Sequence, residues 1–145
     1  MRQIMVATDG SESAERAVDI AAELAKTVGG SLHIVNVAGD LPEEALEVVR
    51  RSPSMEKLAG DAIDARSQQI LTRALERARC KGVKDIHTQQ SWGDVGEKIL
   101  DALQSVGADT LVVGRRGRGR LAGLLLGSVS QKLASLSPSV VVVVP

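Results

Sequence analysis

Aromatic side chains are almost absent from this chain of 145 residues, which has one tryptophan, Trp92, and neither phenylalanine nor tyrosine. A core without large rings must be built from valine, leucine, isoleucine and alanine, residues suited to helices packed on a parallel sheet buried on both faces. Cysteine is nearly as scarce. The single Cys80 excludes an internal disulfide framework and fits a reducing compartment. Net charge is missing too: Lys plus Arg and Asp plus Glu each total 18, so no overall field draws the chain to nucleic acid or to a membrane. No apolar run approaches the roughly 20 residues that span a bilayer. The opening MRQIMVATDG meets Asp9 too early for the apolar region of a signal peptide. The expectation is a cytoplasmic protein with no membrane partner and one domain over 1–145, large enough for a core without disulfide or metal support.

What is present alternates. IMVAT (4–8) is a short apolar run before the turn pair Asp9-Gly10, which predicts a buried strand. Ala14, Ala17, Val18, Ala21, Leu24, Ala25 and Val28 then follow helical spacing, with Ser11 or Ser13 as the cap and Gly29-Gly30 as the stop. SLHIVNV (31–37) reads as the second strand. Pro42 opens a short helix through Arg51, Ser52-Pro53-Ser54 breaks it, and a long helix runs from Met55 to Arg79. A polar strand near Val83–Gln90, a helix from Asp94 to Val106, the strand TLVVG (110–114), a helix from Ser128 to about Ser135 and the strand SVVVVV (139–144) complete the chain.

Such β-α alternation predicts an α/β fold: a single open parallel sheet of five strands with helices on both faces. The doubly wound order is 3-2-1-4-5, with the polar third strand at an edge and strands 1 and 4 central. In open parallel sheets, ligands bind outside the carboxyl ends of the strands where the winding reverses. That place lies between strands 1 and 4, walled by Asp9-Gly10-Ser11 and by the segment GRRGRGRLAGLLLGS (114–128). Gly114, Gly117 and Gly119 let backbone N–H groups approach a ligand closely. Gly127-Ser128 opens a helix whose unpaired N–H groups and dipole favour an anion. Arg116 and its neighbouring arginines add charge-assisted donors. Together these describe a phosphate site, with Asp9 across the crevice to accept ribose hydroxyls or to hold a metal ion. The plainer alternative is a turn, a cap and a solvated basic loop.

The spacing Gly114-x2-Gly117-x9-Gly127-Ser128 resembles the nucleotide-binding signature of the ATP-binding branch of the universal stress protein family. VATDGSESAERAVDIAAELA, LHIVNV, GDVGEKILDALQSVGADTLVVGRRGRGRLAGLLLGSVSQKL and the closing valines are similar to that family as well. The resemblance implies a Rossmann-like, usually homodimeric domain that binds ATP with Mg²⁺ and serves stress adaptation. By position it implies that Asp9 contacts ribose and that the Val37 backbone meets adenine. Gly114 then flanks the ribose, while Gly117, Gly127, Ser128 and Val129 line the phosphates, with Mg²⁺ beside them on protein ligands that the resemblance does not identify. Two departures stand out: Arg115 replaces a small residue, either strengthening phosphate binding or crowding the site, and Pro138 stands one residue away from the position before the final valines.

The valine strand would be a sheet edge that needs covering, which the homodimer through Val140–Val144 supplies. His33 and His87 have no Cys, Asp or second His at ligand spacing. Cys80 closes a helix amid Arg77, Arg79 and Lys81, and Trp92 is expected to pack at the turn into the next helix. No Ser-His-Asp or Cys-His set and no Walker lysine is readable, so no catalytic residue is assigned. The sequence points to an ATP-binding, nucleotide-dependent regulator with an unidentified protein partner. The alternatives are weak ATP hydrolysis or autophosphorylation at Ser128 or a loop hydroxyl, or a dimeric interaction module independent of nucleotide. Nucleic acid is disfavoured because RRGRGR has no stacking aromatics around it.

Overall fold

The computed structural model describes residues 2–39, 41–115 and 126–145. Five parallel strands, β1 (Gln3–Ala7), β2 (Ser31–Ala38), β3 (Ile86–Trp92), β4 (Thr110–Gly114) and β5 (Val140–Val144), form one sheet in the order β3-β2-β1-β4-β5. Side chains alternate across it. Ile4, Val6, Leu32, Ile34 and Val112 pack under α1 (Glu12–Val28) and α3 (Pro53–Cys80), while Met5, Val35, Leu111 and Val113 pack under α4 (Val95–Val106) and α5 (Ser128–Leu136). Helices on both faces leave strands 1 and 4 buried on each side, which is why both read as unbroken apolar runs. The expected fold class and strand order hold.

Local chemistry sets the helix ends at both edges of the sheet. Ser11 is extended and its side chain accepts from Ala14 N, with Glu12 and Glu15 in the first turn of α1. Gly29 ends that helix in the left-handed conformation at φ +64°. Asp94 caps α4 in the same manner, accepting from Glu97 N at 2.9 Å. The alanines of α1, Ala14, Ala17, Ala21, Ala22 and Ala25, are all buried. Small side chains there let the helix lie close to the sheet, where Gly114 of β4 leaves room for its first turn.

Three boundaries differ from the sequence expectations. Pro53 is the first residue of α3 and does not break it, because proline at a first helical position gives up a donor that has no intrahelical acceptor. The break falls at Arg51-Ser52, after α2 (Glu43–Arg50), which buries no residue. β3 begins three residues later than expected. Val83 is drawn into the core beneath the end of α3, its N–H bonded to Ala78 O at 3.3 Å. Trp92 ends β3 and is 44% exposed, so it does not pack into the turn as expected. Among the described residues, no helix is long and apolar enough to cross a membrane.

Candidate functional site

A cleft of about 260 Å³ opens at the carboxyl edge of the sheet, where the winding reverses between β1 and β4. Val35, Val37, Val95 and Ile99 form an apolar wall at one end. Gly127, Ser128, Val129 and Ser130 form the other, and Thr8, Asp9 and Gly114 lie along it as well. The structure therefore places the sequence-derived residues Asp9, Val37, Gly114, Gly127, Ser128 and Val129 around one space. Arg116 and Gly117 lie outside the described residues.

Hydrogen bonds fasten the β1–α1 turn. Asp9 Oδ1 accepts from Ser11 N at 2.9 Å, and Gly10 N donates to Thr8 Oγ1 at 3.2 Å with Gly10 at φ +79°. Asn36 of β2, only 4% exposed, donates its Nδ2 to Thr8 O at 2.8 Å and ties the turn to the neighbouring strand. Sequence reasoning missed Asn36, although a lone amide inside the apolar run LHIVNV was a signal. A buried amide in a strand needs a partner, and a strand end beside a turn supplies one.

The opposite wall is pinned through Arg115. Its N–H donates to Val144 O at 2.6 Å, and its carbonyl accepts from Gly127 N and from Ser130 Oγ, each at 2.8 Å. The ends of the 115–127 segment are thus held together at the last residues of β4 and β5. Ser130, a second residue missed by sequence reasoning, also donates to Gly127 O at 3.1 Å and fixes the start of α5. Arg115 is not among the described residues that line the cleft. Its backbone does the work, while its Nε is buried without a hydrogen-bond partner among the described residues.

The electrostatics differ between the helix ends nearby. The N-termini of α1 and α4 are closed by their own side chains, Ser11 and Asp94. α5 opens at Gly127 with no side-chain cap and no acidic residue in its first turn. Its leading N–H groups and the positive end of its dipole therefore face the cleft without a competing side-chain acceptor. Asp94 is held below the ordinary carboxylate range chiefly by the Glu97 backbone N–H, then by Lys132, whose Nζ lies 3.3 Å away. This pair links the start of α4 to α5. Chemically, the cleft joins an apolar slot to an anion-seeking helix end, and Asp9 is the one carboxylate that lines it among the described residues.

The two histidines, which sequence spacing kept apart, are brought together by the parallel register that sets His33 beside His87. Their rings stack with centroids 4.8 Å apart. His33 Nε2 lies 2.7 Å from Gln3 Oε1, and His87 Nε2 lies 2.9 Å from Asp85 Oδ1. Burial pushes the His33 ring below its ordinary value, the facing His87 adds to that, and Asp85 partly opposes it. Among the described residues, no group of three His, Cys, Asp or Glu side chains is arranged to hold a metal ion.

An open, doubly wound α/β sheet with its cleft at the switch point defines the class of protein. Within that class the chain belongs to the universal stress protein family, which matches it over residues 1–145. It is 31% identical over 155 residues to universal stress protein YxiE of Bacillus subtilis, covering 98% of this chain and 97% of that protein. It is 34% identical over 130 residues to universal stress protein Rv1636 of Mycobacterium tuberculosis, covering 88% and 85%. Among solved structures, a universal stress protein in complex with cAMP is 30% identical, with a TM-score of 0.70 and coverage of 99% and 96%. The universal stress protein UspA of Lactobacillus plantarum superposes with a TM-score of 0.82 at 19% identity, covering 99% and 97%, a likeness of fold.

Proposed function

We propose that this protein binds an adenine nucleotide, ATP with Mg²⁺ by our reading, and acts as a nucleotide-dependent regulator in stress adaptation. The observation that supports it most directly is the polarity of the cleft. An apolar slot between Val37 and Ile99 suits a flat base, and the uncapped start of α5 at Gly127-Ser128 suits phosphate. Asp9 lies along the same cleft, where a carboxylate accepts ribose hydroxyls. The 30% identical relative that holds cAMP supports a nucleotide in this family and keeps a cyclic phosphate in the test.

A Mg²⁺ ion fits the donor set only as a companion of the phosphates. Magnesium typically takes one or two carboxylates plus phosphate oxygens and water, and Asp9 is the one carboxylate along this cleft among the described residues. Bound there, the ion would neutralise phosphate charge. Arg116 and Gly117 are assigned to the phosphate side of the same site. We further propose a homodimer through Val140–Val144 of β5. Parallel pairing with β4 occupies one edge of that strand, and Val140 at its start is 64% exposed.

Ser128→Pro tests the phosphate assignment. Serine 128 is the first residue of α5, and Gly127 before it is extended at φ −71°, ψ 165°, a conformation that suits a residue preceding proline. The substitution removes one N–H and one hydroxyl and keeps the helix. In calorimetric titration of nucleotide-stripped protein, Mg-ATP should saturate the native chain and bind the variant about tenfold more weakly or worse. Adenosine should bind both alike. A native protein, folded and empty, that takes up neither Mg-ATP nor cAMP would overturn the reading. A preference for cAMP would reassign the nucleotide.

A further inference from the structure

On the opposite face of the sheet a second cleft of about 260 Å³ lies between α1 and α3. Its apolar floor is Val18, Ile70 and Ala74, and the β1–α1 turn closes one end at Thr8 and Gly10. Three arginines of α3 line it, Arg66, Arg73 and Arg77. The steps of seven and four residues put them in one stripe along the helix, with Gln69 beside them. Guanidinium groups present planar forks of N–H donors that match phosphate and carboxylate oxygens.

Carboxylates on α1 hold two of these arginines in place and leave the third unpaired. Arg77 makes a fork to Asp19, with Nε to Oδ1 at 3.1 Å and Nη2 to Oδ2 at 2.5 Å. Arg73 uses its Nε on Glu15 Oε1 at 2.9 Å while its side chain stays 69% exposed. Arg66 has no hydrogen bond or ion pair among the described residues. The nearest acidic residue on its own helix, Asp64, instead accepts from Gln90 of β3 at 2.8 Å. Three cations thus face two carboxylates over an apolar floor, and the excess charge sits where Arg66 and Arg73 have donors to spare.

We infer that this cleft binds a small organic anion, carrying a phosphate or carboxylate group between Arg66 and Arg73 with its apolar body against Val18, Ile70 and Ala74. The site is separate from the nucleotide cleft and stands whether or not that cleft takes ATP. Among the described residues, Thr8 of the β1–α1 turn is the one that lines both.

Residue-resolved NMR titration tests it, with inorganic pyrophosphate and citrate as probes for the two anionic groups. Either probe should shift Gly10, Gln69 and Ile70 saturably, with an affinity that falls as salt is added. Whichever binds more tightly identifies the anionic group. Arg66→Ala, which removes an exposed side chain without a partner among the described residues, should weaken that affinity about tenfold. Glu15→Gln should strengthen it, because a competing negative charge leaves the arginines, and a misfolded variant cannot imitate a gain. The inference is overturned by shifts confined to Gly127–Ser130, by no saturable shift with either probe, or by an affinity at Gly10 that Arg66→Ala leaves unchanged.

Discussion

Gly114 ends β4 where a side chain has no room. A Cβ there would come within 2.5 Å of Ser13 Oγ, 2.8 Å of Ala14 N and 2.9 Å of Ser13 C, and two of these three are backbone atoms of a buried helix. Gly114→Ala should therefore push α1 off the sheet and cost about 1–3 kcal/mol, read as a lower urea midpoint at unchanged slope. His33 carries the second expectation at this scale. Its folded value is depressed by burial and then by His87, so the unfolded chain takes up the proton first. Its contribution is complete above the unfolded value of about 6.5 and is lost as pH falls from there through the lowered folded value. In an NMR titration the His33 ring should show a midpoint below about 6.5, moving upward in His87→Ala. A midpoint that does not move would leave burial by other groups as the whole cause.

At the scale of elements, the start of α4 is the joint to watch. Asp94 closes its first turn through Glu97 N and reaches Lys132 of α5, so one carboxylate serves two helices. Its depressed folded value means that the stabilisation is fully present above the unfolded carboxylate value of about 4 and disappears as pH falls through the folded one. Asp94→Ala should lower stability in urea near neutral pH, and the gap to the native chain should narrow steadily as pH falls below the ordinary carboxylate value. A gap that persists in acid would mean that packing, and not the charged cap, is what the substitution removes. α3 shows the other side of element formation. Its buried residues begin only at Ser67, and its first half is tied to the sheet at the surface, where Asp64 accepts from Gln90 of β3 at 2.8 Å.

The whole molecule has two unlike edges. β3 is polar along most of its length, whereas β5 is five valines. Val140 N donates to Asp109 O at 3.3 Å, and donors alternate in a parallel ladder. The N–H groups of Val142 and Val144 therefore also face β4, while those of Val141 and Val143 face outward. Val141→Pro removes one outward donor and leaves the β4 ladder whole, a placement that edge strands tolerate. If the proposed dimer pairs through β5, sedimentation equilibrium should find the native protein as a dimer and the variant shifted toward monomer. A native protein that sediments as a monomer would rule the dimer out.

Much of this was legible in the chain. The strand order followed from the doubly wound solution for five parallel strands, and polarity placed β3 at an edge and β1 and β4 at the centre. The region of the cleft followed from the topology, since Asp9 and Gly114 end the two strands that flank the reversal. Val83 misled because an apolar residue beside a strand pattern can belong to either the strand or the core under a helix, and only packing against α3 chooses. Asn36 showed in the chain only as a lone amide in an apolar run, and the arginine stripe facing Glu15 and Asp19 was not legible as a site. The partners Thr8 of Asn36, Arg115 of Ser130 and Glu15 and Asp19 of the arginines lie on other segments, at no spacing that the sequence marks.

By itself the sequence determined the kind and order of the elements, and with them the side of the sheet where a cleft must open. Periodicity, caps and turn residues act over a few neighbouring positions, and the chirality of β-α-β crossovers then leaves few ways to wind five parallel strands. Only the tertiary structure decided which side chains meet. The pairing of His33 with His87, the tie from Asn36 to Thr8 and the hold of Arg115 on Gly127 and Ser130 depend on register and packing between segments far apart in the chain, and those are set by burial of the whole core.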